Sequence, residues 1–130
     1  MKKIFYLLAI AVTIQMPSFA QEDQTENGAL KLRERMIQYI QDKLAMSKSE
    51  ADRFTPVFIN YFRELRQTNQ QYRGDRLVLQ QKIVELRLRY RELFKPIIGD
   101  QRSNEVFIHE REFIQKAREE LQTRLQNRSD

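Results

Sequence analysis

Residues 46–62 read MSKSEADRFTPVFINYF, and the fold turns on how they are taken. Ser47 can accept a bond from the backbone N–H of Glu50, and the Glu50 carboxylate can reach back to the N–H of Ser47. This is the capping box that opens a helix. Met46 before it and Ala51 after it offer a weak hydrophobic staple. Ser49 is a second candidate start. Pro56 then falls inside the apolar run, where it removes a backbone donor and crowds the turn before it. Either Pro56 bends a helix begun at Ser47, or it lies in the first turn of one begun nearer Asp52 or Phe54, where its missing donor costs little.

Outward from this stretch, apolar residues recur at helical spacing and almost nowhere at the two-residue spacing of strands. Helix B, from Ser47 or Ser49 to about Arg73, carries Phe54, Phe58, Tyr61, Leu65, Thr68 and Tyr72. Helix C, from about Asp75 to Pro96, carries Leu79, Ile83, Leu86, Tyr90, Leu93 and Ile97. Both stripes step 4-3-4-3-4, the spacing of a heptad seam. Gly74, within the tripeptide Arg73-Gly74-Asp75, either ends helix B or bends one continuous helix. So short a joint favours an antiparallel hairpin. As an adhesive signal the tripeptide is too short to carry weight. Helix A spans about 29–45 with Leu30, Ile37, Ile40 and Leu44, flanked by Met36 and Tyr39. Helix D starts near Asp100 or Ser103 and carries Val106, Phe107, Phe113, Ile114, Ala117, Leu121 and Leu125. The expectation is an all-α fold of four helices containing a long, bent antiparallel hairpin. Val57, Ile59 and Phe62 of helix B, with Leu77, Val78, Val84 and Leu88 of helix C, widen the apolar surface beyond one seam. Helices A and D cover it, a second subunit in a homodimer does, or some of it stays exposed; burial by A and D is the default expectation.

Residues 1–20, MKKIFYLLAIAVTIQMPSFA, have Lys2 and Lys3, then an apolar run from Ile4 to Ile14, then small residues at 18 and 20. This is the pattern of a secretory signal cleaved before Gln21. The run is shorter than the ~20 residues of a membrane span. With no cysteine in the chain, neither a lipid-anchored cysteine nor a disulfide is expected. Residues 21–28 are polar throughout and read as a disordered lead-in, leaving 29–128 as one helical domain. The expected location is the periplasm, with no membrane span after cleavage.

The chain carries a formal charge of +5, and +3 without Lys2 and Lys3. The excess is central: residues 63–102 hold 10 basic and 5 acidic side chains. Nucleic acid is not the expected partner of an exported protein, so acidic protein segments or lipid head groups are the partners such charge would attract. The basic residues concerned are Arg63, Arg66, Arg73, Arg76, Lys82, Arg87, Arg89 and Arg91, with Phe62, Val84 and Leu88 as nearby apolar holds.

Chemistry-bearing residues are sparse. His109 is the single histidine, and with Glu110 it supplies one nitrogen and one carboxylate, short of a zinc or copper ligand set. It reads as a surface histidine. Nucleophile-and-base pairs and glycine-rich phosphate loops are missing from the sequence. Neither enzyme activity nor a metal or other cofactor is expected.

Residues 46–50, MSKSE, are similar to the LTxxQ motif of the Spy/CpxP group of periplasmic proteins, with Met46, Ser47 and Glu50 at the matching places. Residues 97–101, IIGDQ, occupy the place of the second copy without its Ser or Thr. The chain more closely resembles a divergent branch of that group, with counterparts to residues 50–62, EADRFTPVFINYF, and 90–113, YRELFKPIIGDQRSNEVFIHEREF. Proteins of that branch are described as sensors of extracytoplasmic-function sigma factors. The resemblance implies a thin, curved helical dimer. It also implies an ATP-independent chaperone of the envelope stress response that holds unfolded or partner proteins on a basic, partly apolar concave face. Its regulatory members imply the alternative, an adaptor or sensor acting on an anti-sigma or sensor-kinase partner. The metal ligands of the metal-sensing relatives are missing here, so that adaptor would bind no metal.

Overall fold

The computed structural model describes residues 17–130, which form three helices: α1 (Pro17–Lys43), α2 (Lys48–Gln71) and α3 (Arg76–Ser129). No strand occurs among the described residues. The expected signal segment lies outside them over residues 1–16. The chain divides into two units, Met1–Arg35 and Met36–Asp130, and the core belongs entirely to the second. α1 takes in residues 21–28, for which the sequence led to no helix. That stretch has no proline to stop one, and no apolar residue to anchor one.

α1 stops at a Schellman-type turn. Ala45 takes φ 48°, its N–H donates to the Asp42 carbonyl (3.2 Å), and the Met46 N–H donates to the Gln41 carbonyl (3.1 Å). α2 opens on the expected capping box. The Glu50 N–H donates to Ser47 Oγ (3.1 Å), and the Ser47 N–H donates to Glu50 Oε1 (3.0 Å). The start is therefore at Ser47 rather than Ser49, and Pro56 sits inside α2, beyond its first turn. Pro56 and Asp52 one turn back are both exposed, so the interrupted turn lies on the solvent side.

α2 ends at Tyr72, and Asp75 caps α3 by accepting from the Val78 N–H (3.2 Å). Gly74 thus closes one helix instead of bending a continuous one. The expected end of helix C near Pro96 is corrected: α3 runs through Pro96 and breaks at Gly99, with φ 85° and ψ 170°. A proline deletes one hydrogen bond but keeps helical φ. Leaving the helix altogether needs a residue that tolerates Gly99's dihedrals, and only glycine does so readily. Residues 76–98 are called below the first arm of α3, and 100–129 the second.

The core joins Phe54, Phe58 and Tyr61 of α2 to Leu86, Tyr90, Phe94 and Ile98 of the first arm and Val106 and Phe113 of the second. Met36, Ile37 and Ile40 of α1, with Leu44 just past its end, complete it. Aromatic rings form its spine: Phe54–Phe94 centroids are 4.9 Å apart, Tyr61–Tyr90 5.4 Å and Tyr61–Phe107 5.5 Å, distances at which tilted and edge contacts are favourable. Partners descend along α3 as residues ascend along α2, from Phe54–Phe94 through Tyr61–Tyr90 to Tyr72, whose ring lies under Lys82.

Several stripe positions differ from the sequence reading. Leu93 is 49% exposed, and Phe94 takes its place in the core. A heptad pattern assumes 3.5 residues per turn, and a straight helix at 3.6 drifts ~20° per heptad. From Leu86, one heptad beyond Leu79, the buried positions move on in steps of four: Leu86, Tyr90, Phe94, Ile98. Met36 is core rather than flank, whereas Leu30, Leu121 and Leu125 are exposed.

Candidate partner-binding surface

The first arm of α3 presents Leu77, Val84 and Leu88, spaced seven and four residues apart and so on one helix face. They are 79%, 54% and 47% exposed. Phe62 is different: it is half-buried and packs against the core from α2.

The eight cations named from the sequence fall into three groups. Arg66, Arg73 and Arg76 are exposed around the α2–α3 joint and form no ion pair among the described residues; Arg63, also exposed, donates to Asn60 Oδ1 (3.0 Å). A second group is already engaged. Arg89 forks onto both oxygens of Glu64 (3.2 Å), Lys82 pairs with Glu85 (3.5 Å), and Arg91 lies between Glu92 (3.7 Å) and Asn104 (3.4 Å). Tyr90 donates to the same Glu64, and burial followed by that carboxylate pushes its phenol up to about 12.

Arg87 stands alone in the third group, because it turns inward. Its Nη2 donates to Glu110 Oε1 (3.0 Å) and its Nε to the Tyr61 hydroxyl (3.3 Å), and Tyr61 in turn donates to Glu110 Oε1 (3.0 Å). Burial is the largest influence on both Tyr61 and Glu110, and it raises both. Arg87 is thus corrected from a surface cation to the partner of a buried carboxylate. The sequence carried a signal for this. In the second arm the buried positions run Ser103, Val106, Glu110, Phe113, and the stripe as read from apolar residues alone has a gap where Glu110 belongs.

A second polar tie escaped the sequence reading. Arg102 donates through Nη1 to the Leu44 carbonyl (3.2 Å) and to Glu50 Oε1 (3.1 Å), and through Nη2 to Glu50 Oε2. The capping-box glutamate thereby also anchors the chain just past the Gly99 break. Hydrogen bonding from Arg102, then from the Ser47 backbone, holds the Glu50 carboxyl down at about 2.

His109 is half-buried, not a free surface histidine. Its Nδ1 lies 2.8 Å from Glu112 Oε2, which also accepts from the Tyr39 hydroxyl (3.3 Å). His109 and Glu110, adjacent in sequence, therefore face different partners. No cluster of three His, Cys, Asp or Glu able to hold a metal occurs among the described residues, and none of the described helices is long and apolar enough to cross a membrane. A shallow groove of about 320 Å³ lies between α2 and the first arm. The charges along it, Glu64, Arg89, Lys82 and Glu85, already pair with one another.

Compared with protein-family models, curated proteins and solved structures, the chain matches none.

Proposed function

We propose that this chain is an exported helical binding protein without enzymatic activity, acting in the periplasm as an ATP-independent, chaperone-like holder of unfolded or partner proteins. In this reading α2 and the first arm of α3 are the antiparallel hairpin of a four-helix fold related to the Spy/CpxP group, with the second arm counted as the fourth helix. The descending order of contacts from Phe54–Phe94 to Tyr72–Lys82 supports the hairpin.

The observation that carries the proposal is the open strip of Leu77, Val84 and Leu88, next in the chain to Arg73 and Arg76, which are exposed and form no ion pair among the described residues. Large exposed apolar side chains sharing a helix face mark binding surfaces. Exposed cations alongside steer acidic segments toward them. The decisive experiment is suppression of aggregation of an unrelated, acidic unfolded protein by the purified chain without nucleotide. Protection at near-equimolar ratio supports the holder; no protection at any ratio rejects it.

The shortness of the strip, three residues on one face, favours a second reading. A regulatory adaptor docking one helix of an anti-sigma or sensor-kinase partner needs no broader surface. Such an adaptor would bind that partner stoichiometrically and leave unrelated unfolded proteins unprotected.

A further inference from the structure

The second arm of α3 carries its apolar row past the end of the core. Phe107, Ile114 and Leu121 step by sevens and so share a helix face. Phe107 lies against Tyr61 and Phe94, with ring centroids 5.5 and 6.2 Å away. Ile114 is half-buried against the core, and Leu121 is 58% exposed. Leu125, one turn further, is 54% exposed. From Arg118 onward every residue is exposed, yet the helix continues to Ser129. Isolated helices shorter than ~12–15 residues are marginal in water. This stretch is therefore grown from the packed part of the arm and left bare.

Arginine borders the bare row. At 3.6 residues per turn, Arg118 and Arg124 lie about 60° to either side of Leu121, and Arg128 about 20° from it. All three are exposed and form no ion pair among the described residues. The acids of the stretch are turned away, Glu120 by about 100° and Glu119 by about 160°. Glu119 accepts from Gln115 (3.4 Å), and Lys116 is occupied over the Tyr39 ring (5.0 Å). The complement of such a face is an apolar row flanked by carboxylates, which a guanidinium fork binds in pairs. A second copy does not supply it, because its own row would set arginine against arginine. A lipid surface fits less well. A helix that lies in one has a strongly basic polar face and aromatic anchors, whereas residues 114–130 hold four basic and three acidic side chains and no aromatic one.

We propose that residues 117–128 of the second arm dock one amphipathic helix of a partner protein, its apolar row seated on Leu121 and Leu125 and its flanking carboxylates held by Arg118, Arg124 and Arg128. Helix-on-helix docking is read through anchors one turn apart, as these leucines are. The site uses none of the residues assigned above to the holding of unfolded proteins, and it stands whether or not the first arm holds them.

The test is titration of the purified, ¹⁵N-labelled chain with a synthetic amphipathic helix whose leucines, at i, i+3, i+4 and i+7, are bordered by glutamate. The same peptide with lysine at each glutamate is titrated beside it. The acidic peptide should shift the amides of residues 114–129 saturably, and the lysine peptide should not. Arg118→Gln, Arg124→Gln and Arg128→Gln together should weaken binding about tenfold. Leu121→Ser with Leu125→Ser should remove it. All five positions are exposed and outside the core, so both variants should melt with the parent. No shift at millimolar acidic peptide, equal binding of the two peptides, or shifts confined to the strip of Leu77, Val84 and Leu88 overturns the site. So does either rival occupant: phosphatidylglycerol vesicles that bind the parent but not the double leucine variant, or self-association in sedimentation that the double leucine variant abolishes.

Discussion

Arg87 and Glu110 stand on opposite arms of α3 and close the angle at Gly99 with a 3.0 Å ion pair, the glutamate buried and the arginine partly open to solvent. The neighbouring arginines of the first arm meet no buried carboxylate, and Arg91 reaches the second arm only through the exposed Asn104. Arg89 and Arg91 pair at the surface, where an ion pair contributes little.

Replacing Arg87 with Gln should therefore cost about 2–4 kcal/mol, because a buried carboxylate loses its cation. Replacing Arg91 with Gln should fall within about 0.5 kcal/mol of the parent, as surface changes usually do. Urea denaturation of the two variants makes the comparison. Equal midpoints would mean that Arg87 carries no more than a surface charge.

Backbone dihedrals give a pair of opposite expectations. Gly99→Ala should destabilise by about 1–3 kcal/mol, since φ 85° with ψ 170° is a region almost restricted to glycine. A side chain there would meet no neighbour, so the loss would be conformational and not steric. Ala45→Gly should stabilise by up to about 1 kcal/mol, because Ala45 holds φ 48° at a helix C-terminus where glycine is preferred. Thermal melting of both should show shifts of opposite sign.

Acid sensitivity should trace in part to Glu50. Its folded value, about 2, lies below the ordinary 4.5, so its contribution is complete above the ordinary value and fades as pH falls toward 2. Glu50→Gln can keep the reach back to the Ser47 N–H while losing the charge that Arg102 holds. The variant should be less stable than the parent at neutral pH and converge with it near pH 2. Stability curves that stay parallel down to that pH would show that the charge is not what matters.

For binding, the informative arginines are those at the α2–α3 joint. Arg73→Gln with Arg76→Gln should slow capture of an acidic client and mimic added salt, since exposed charges are screened beyond ~8 Å at physiological ionic strength. Leu77→Ser with Leu88→Ser should weaken retention and leave the salt response in place. Light scattering of an aggregating acidic client, followed at low and high salt, separates the two effects. If the double arginine variant protects as well as the parent at every salt concentration, the joint does not steer clients.

Much of the helical organisation was legible because its signals are local. The box of Ser47 and Glu50 spans a single turn, and the seam through Phe54, Phe58 and Tyr61 repeats within one helix. Leu93 was misplaced because a heptad count accumulates error along a straight helix, and Phe94 took its position. The exposed strip of Leu77, Val84 and Leu88 was visible only as surplus apolar residues. Phe62 belonged to that surplus as much as Leu88 did, yet Phe62 packs on the core while Leu88 stays open.

By itself the sequence determined the helical class, the capping chemistry of Ser47 and Glu50 as one of two candidate starts, an interruption at residues 73–75 and the concentration of positive charge in residues 63–102. These follow from spacing, capping chemistry and composition, all readable within a few turns of chain. Only the tertiary structure decided which charges are bound and which remain open. Arg87 and Arg91 lie four residues apart on one helix, yet from beyond Gly99 one meets a buried carboxylate and the other only the exposed amide of Asn104, beside Glu92 at the surface. The fate of a side chain depends on what a distant segment brings to it, and that depends on where the chain turns. Here a single glycine at φ 85° sets the turn, swinging Glu110 onto Tyr61 and Arg87 and Arg102 onto Glu50.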